Sequence, residues 1–193
     1  MALADEVQRI GSPVRRWARA QQRAYAGSSP EARPLGGFLG AMSVYGSVVA
    51  VGAAAVRASG TPLPERIPLG DAVLLTIGTF RLARRIAKDP VTSPLRAPFA
   101  RFNGASGEAE LSEEVRVHGG WKHAVGELVT CPFCLAQWVG TAFVFGYVAA
   151  PNATRLAALT MTAVAGSDVL QFAYDALQDQ VTGDDGDDDE GGS

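Results

Sequence analysis

Cysteine is nearly absent from this chain: Cys131 and Cys134 are the only two among 193 residues. Two thiols are too few for a disulfide scaffold. Histidine is as scarce, with His118 and His123 alone, and neither lies in a nucleophile-elbow or metalloprotease motif. A glycine-rich phosphate cradle is missing, which argues against a nucleotide site. The chain also lacks a basic surplus, since 17 Lys and Arg face 20 Asp and Glu for a net charge of −3. A nucleic-acid footprint needs basic residues clustered without interrupting acids, so no nucleic-acid partner is expected. Residues 1–34 contain no apolar core of the kind a cleavable signal peptide carries, and the first apolar stretch is expected to insert as a signal anchor.

What the chain has is segregation. Its hydrophobic fraction of 47% is ordinary, but the apolar residues are bunched into four stretches, near 35–56, 69–86, 133–150 and 156–174. The stretch from Leu35 to Val56 carries no charge and reaches about 33 Å as a helix, enough to cross a bilayer. Pro62, Pro64 and Pro68 punctuate the loop that follows it. The stretch from Leu69 to Ile86 holds Asp71 near its start and Arg81, Arg84 and Arg85 near its end. The third and fourth stretches are joined by a short turn at Pro151 and Asn152, as in an antiparallel helix hairpin.

Charge decides how many of these stretches cross. With four spans and a cytoplasmic N-terminus, only Arg57, Arg66 and Arg155 fall outside, so 14 of the 17 Lys and Arg lie inside. If the second stretch does not cross, the better three-span orientation splits them 10 to 7. The positive-inside tendency prefers four spans, and arginines at an inner helix end can snorkel toward headgroups.

The flanking segments have their own character. Residues 11–26 carry a helix-start signature, Ser12 followed by Pro13. Val14, Trp17, Ala18, Ala24 and Tyr25 approximate one face, and Arg15, Arg16, Arg19 and Arg23 lie elsewhere. A basic amphipathic helix with Trp and Tyr suits contact with lipid headgroups or a partner. Between the second and third stretches, Pro90, Pro94 and Pro98 break any regular helix, and residues 103–114 are rich in Gly, Ser and Glu. An irregular, mobile loop is expected there. Its run from Thr92 to Arg96 offers hydroxyls and a guanidinium for phosphate, headgroups or a partner, with Phe99 and Phe102 at the interface. The acidic residues 181–193 read as a disordered tail; they resemble a calcium loop only superficially.

Two constellations carry possible chemistry. In Cys131-Pro132-Phe133-Cys134, Thr130 or Cys131 is placed to cap the third apolar helix, with Pro132 in its first turn. A thiol there feels the helix dipole and unpaired N–H groups. The pair is open to three readings: structural thiols, a redox couple like that of thioredoxin-type centres, or half of a zinc site completed by His118 and His123. The second constellation is ionic. Arg81 lies 12 residues past Leu69 and Asp168 lies 12 past Leu156, each about 18 Å from the outer face. An Arg81–Asp168 pair would reduce the cost of either charge in lipid. It reads as a register-fixing pair or, alternatively, as part of a small-solute or proton path.

Two blocks also resemble a known family. The first is Thr79-Phe80-Arg81-Leu82-Ala83-Arg84-Arg85-Ile86-Ala87-Lys88-Asp89, continuing through Val91-Thr92-Ser93-Pro94-Leu95-Arg96-Ala97-Pro98-Phe99. The second is Gly126-Glu127-Leu128-Val129-Thr130-Cys131-Pro132-Phe133-Cys134-Leu135, followed by Trp138. Together they resemble the bacterial membrane-protein family called domain of unknown function 1360, over roughly Leu69 to Leu177. The resemblance implies a small multi-pass protein of the bacterial cell membrane and supplies no activity.

The expectation is therefore an all-α polytopic membrane protein with both termini cytoplasmic. It comprises a basic arm (1–34), a membrane domain (35–180) with a cytoplasmic loop (87–132), and an acidic tail (181–193). Its expected role is that of a non-catalytic envelope or membrane component, with the bilayer and a protein at the cytoplasmic loop as partners.

Overall fold

A computed structural model of the chain describes residues 16–17, 19–21, 23–25, 35–107, 110–116 and 120–184. The described residues of the N-terminal arm are helical (α1). All four apolar stretches are helices: α2 (Leu35–Ser59), α3 (Leu69–Lys88), α6 (Pro132–Ala149) and α7 (Pro151–Asp184). Between α3 and α6 come a 3₁₀ turn (Pro90–Thr92), α4 (Ser93–Arg96), strands β1 (Ala100–Gly107) and β2 (Glu110–Val115), and α5 (Gly120–Thr130). Among the described residues, three helices are long and apolar enough to cross a membrane: Leu35–Ser59, Pro132–Ala149 and Pro151–Gln180. The charges of α3 keep it outside that group. Helix α7 continues to Asp184, so the first residues of the expected tail are helical; residues 185–193 lie outside the described residues.

Contacts divide the chain into two units, one of Met1–Ala55 and Arg84–Trp138, the other of Val56–Ala83 and Val139–Ser193. In the first, none of the residues of α2 is buried. Half-cover follows one stripe along it, Gly37, Ala41, Tyr45 and Val49, with Leu35, Phe38, Gly52 and Val56 also half-covered. Gly37 is needed for close approach, because a side chain there would meet the Gly120 carbonyl oxygen at 2.7 Å. Further along, the Tyr45 and Trp138 rings meet edge to face with centroids 5.2 Å apart, and Gln137 Nε2 donates to Tyr45 Oη at 2.6 Å.

The segment expected to be an irregular loop is instead ordered around an antiparallel hairpin, which also corrects the all-α expectation to a mostly helical fold. Its register pairs Ala100 with Val115, Arg101 with Glu114, Phe102 with Glu113 and Gly107 with Glu110, with two irregularities. Propensity does not explain these strands, since Gly, Ser and Glu are poor strand formers. Tertiary anchors do. Phe99 O accepts the Arg116 N–H at 2.8 Å, closing the base of the hairpin. Arg84 holds Glu110 through a two-pronged contact, Nε and Nη2 lying 2.8 and 2.6 Å from Oε1 and Oε2. Helix α5 packs against β2, and Gly126 is buried there because a Cβ would meet Val115 Cγ1 at 2.7 Å.

The prolines divide the preceding stretch rather than disordering it. Asp89 Oδ1 accepts the Val91 N–H at 2.9 Å, capping the 3₁₀ turn that Pro90 opens, and Pro94 falls in the first turn of α4.

In the second unit, α6 turns inward at Val139, Phe143 and Tyr147, four residues apart, while Ala142 and Val144 are exposed. Single-sided burial on a mostly apolar, uncharged helix is what a lipid solvent permits. Gly78 of α3 is buried against Ala158 of α7, itself 0% exposed, with an added Cβ falling 3.1 Å from Ala158 Cα. Thr162 Oγ1 donates to Leu74 O at 3.2 Å along the same seam. Small residues that let backbones approach hold helices together where solvent exclusion does not.

Candidate functional site

Arg96 is the largest fully buried side chain among the described residues. It was expected to reach lipid or a partner, together with the hydroxyl of Thr92; the structure corrects both. All five guanidinium N–H donors are used internally. Nε and Nη2 grip the Glu113 carboxylate, Nη1 donates to Ile86 O and Thr92 Oγ1, each at 2.7 Å, and Nη2 also donates to Asp89 O at 3.0 Å. Thr92 Oγ1 in turn donates to Arg85 O at 2.6 Å. Arg96 and Thr92 together thus satisfy carbonyls left open at the end of α3, and Arg96 ties them to β2. Prolines on either side of α4 point to an exposed loop in the sequence, yet Arg96 between them is fully buried.

A second cluster joins three helices in the other unit. Asp71 of α3 accepts from Arg155 of α7, whose Nε and Nη2 lie 3.0 and 2.6 Å from Oδ1 and Oδ2. Tyr147 Oη of α6 donates to Asp71 Oδ2 and accepts from Arg155 Nη2 at 3.0 Å. The guanidinium also lies over the Tyr147 ring, 5.2 Å from its centroid. Sequence reasoning noted Asp71 and Arg155 separately and missed Tyr147. The signal was weak, because the partners lie 76 and 84 residues apart.

Arg81 and Asp168 stand 2.8 Å apart from Nε to Oδ2, with side chains 19% and 32% exposed. The contact is ionic rather than a directed hydrogen bond, since Arg81 Nε is buried without an aligned acceptor. All four arginine and aspartate groups on α3 therefore meet an opposite charge, across an interhelix or hairpin contact or at the helix end: Asp71, Arg81, Arg84 and, at 3.4 Å from Asp89, Arg85. The fifth charged group of the helix is Lys88, at its last turn.

The thiols form the start of α6. Cys131 occupies the position just before Pro132, and its Sγ accepts the Cys134 N–H at 3.3 Å, so it serves as the N-cap. Thr130, the alternative cap, instead donates back to Gly126 O at 2.8 Å within α5. Both cysteines are free; Cys131 is half-buried and Cys134 exposed. His123 Nε2 lies 3.2 Å from Glu127 Oε1, one turn along α5. His118 lies outside the described residues, and among those described no group of three or more His, Cys, Asp or Glu is placed to hold a metal. On the arm, Arg16, Arg19 and Arg23 are exposed, as are Trp17 and Tyr25, while Arg15 lies outside the described residues.

The architecture is that of a mostly helical chain whose long helices present apolar surface outward. Residues 74–174, just over half of the chain, match the family described as Protein of unknown function (DUF1360), and the chain belongs to that family. The matched region contains the Arg96 network, the thiol pair and both interhelix ion-pair partners Arg81 and Asp168. No curated protein and no solved structure matches the chain.

Proposed function

We propose that the chain is a four-span protein of the bacterial cell membrane with both termini and the segment between α3 and α6 on the cytoplasmic side. On this reading it acts as a non-catalytic membrane component, and the ordered segment is its contact surface. The observation that carries the proposal is the pairing of charge on α3. A helix bearing Asp71, Arg81, Arg84 and Arg85 is costly to insert alone, but Asp71 and Arg81 have partners on α7, and Arg84 has one in the hairpin. Pairing removes the objection that composition raises against this helix. The positive-inside distribution then favours four crossings over three. The polar side chains of the interior are committed to one another, which supports a structural role for them.

The topology has a direct test. In a Cys131→Ser, Cys134→Ser background, single cysteines replace Glu65 and Ala97, and intact cells are treated with a membrane-impermeant maleimide. The four-span arrangement expects position 65 to label at once and position 97 only after permeabilisation. Labelling of both from the same side discards it. The non-catalytic role expects the double serine variant to match the parent in abundance and thermal stability. Stoichiometric metal in the purified parent that is lost in the double serine variant would replace that role with a metal-binding one.

A further inference from the structure

We propose that the segment between α3 and α6 rests on the anionic headgroups of the bilayer that holds the chain, with Val91, Leu95 and Phe102 immersed and Lys88 and Lys122 at the phosphates. This deepens the four-span reading and rests on it. The Arg96 network determines which side chains face outward. Thr92 and Arg96, four residues apart and bonded to each other, occupy the inward face of the stretch around α4. The residues just before them, Val91 and Leu95, share the adjoining flank and are 78% and 63% exposed. Phe102 is the cross-strand partner of Glu113, so it stands on the same face of the hairpin as the carboxylate that grips Arg96. It is 68% exposed. Three large, exposed apolar side chains thus flank the residues of one buried ion-pair network: Val91 and Leu95 beside Thr92 and Arg96 in the chain, and Phe102 opposite Glu113.

Charge selects the occupant. Four of the five described acids of the segment are turned to internal partners, Asp89 to Arg85, Glu110 to Arg84, Glu113 to Arg96 and Glu127 to His123, while the fifth, Glu114, is exposed at the register position opposite Arg101. Exposed Lys122 lies over the Trp121 ring, 5.9 Å from its centroid, and that ring is itself 63% exposed at the start of α5, which packs against α4. Trp beside Lys is the pairing that suits a headgroup layer. Tethering supplies proximity. Helix α3 runs unbroken to Lys88, and a single residue, Cys131, separates α5 from α6. On the four-span reading, both ends of the segment leave the bilayer at the same leaflet, so the nearest apolar phase is that leaflet.

The test uses the full-length protein in nanodiscs of phosphatidylcholine alone or of equimolar phosphatidylcholine and phosphatidylglycerol. Spin labels are placed on Leu95→Cys and Phe102→Cys in the double serine background, with Glu65→Cys as the water-exposed control. Relaxation by oxygen relative to a nickel chelate reports depth. The proposal expects labels at 95 and 102 to favour oxygen in the anionic discs, the reverse of position 65. It also expects that preference to weaken in neutral discs and in K88E/K122E. Preference for the nickel chelate at both sites in both lipids overturns it, and leaves the patch to a protein. Equal depth in both compositions, unmoved by K88E/K122E, overturns the choice of anionic lipid. The maleimide result at position 97 reports separately on topology, so a wrong orientation is recognised as such.

Discussion

Arg96 and Glu113, 17 residues apart, form an ion pair that solvent does not reach, their side chains being 0% and 6% exposed. Removing one partner leaves an uncompensated buried charge, which costs about 3–5 kcal/mol. Arg96→Ala and Glu113→Ala should therefore each lower the melting temperature of the detergent-solubilised protein and increase proteolysis within residues 89–116. Arg96→Lys keeps the charge and should still be destabilising, because an ammonium has three donors and no planar fork. The joint replacement Arg96→Met, Glu113→Leu should recover only part of the loss, since Ile86 O and Asp89 O would each lose the guanidinium donor and keep only their bonds from Thr92. A double variant as stable as the parent would show that those carbonyl bonds contribute little.

Gly78 meets Ala158 through backbone as well as side chain, at 3.1 to 3.2 Å from a would-be Cβ. A flexible neighbour could yield to an added methyl, whereas a helix backbone moves only as a unit. Gly78→Val should separate α3 from α7 and cost on the order of 1–3 kcal/mol. Gly78→Ala should be milder in the same direction. Ala158→Gly should fail to rescue Gly78→Val fully, because the Ala158 Cα and carbonyl oxygen remain. Thermal unfolding monitored by size-exclusion recovery measures all three. Gly40 has no neighbouring atom within 4 Å of its would-be Cβ and serves as the control at which Ala is expected to be neutral.

The helices were legible because long apolar runs have few alternatives, and Arg81 could be matched with Asp168 because equal counts from the starts of two apolar stretches, Leu69 and Leu156, give equal rise. The hairpin was not legible. Its strands lack alternation, and what orders them lies outside them, at Arg84, Arg96 and Gly126. Arg96 misled for a related reason. A basic residue among three prolines has the composition of an exposed loop, and only the folded path shows that the carbonyls of Ile86 and Asp89 meet a guanidinium at that place. The Asp71, Tyr147 and Arg155 cluster depends on three helices at once, which no local pattern encodes.

Cys131 caps α6 through its sulfur, so its removal should be felt even if no redox or metal chemistry exists. Losing an N-cap costs about 1 kcal/mol. Cys131→Ala should lower the melting temperature, whereas Cys131→Ser should hold or raise it, because a hydroxyl caps better than a thiol. Cys134, exposed and contributing only its backbone N–H to the cap, should tolerate Ser without change. Equal melting temperatures for Cys131→Ala and Cys131→Ser would remove the capping role.

The Arg81–Asp168 pair offers the sharpest test of lipid as the surrounding solvent. A lone charge at the middle of a crossing helix costs about 2.5–3.5 kcal/mol on insertion scales, while the same charge in a water-exposed pair costs almost nothing to strand. With the pair at membrane depth, Arg81→Gln leaves Asp168 alone and Asp168→Asn leaves Arg81 alone, so each single variant should lose membrane abundance. Arg81→Gln with Asp168→Asn removes both charges and should recover it. The exchange Arg81→Asp, Asp168→Arg should recover part, since side-chain lengths differ and Arg81 Nε is already imperfectly aligned. Quantifying the inserted protein in membrane fractions gives a double-mutant cycle whose coupling should be large and unaffected by salt. Coupling near zero, or coupling abolished by high salt, would put the pair in water and remove the physical ground for α3 as a crossing helix.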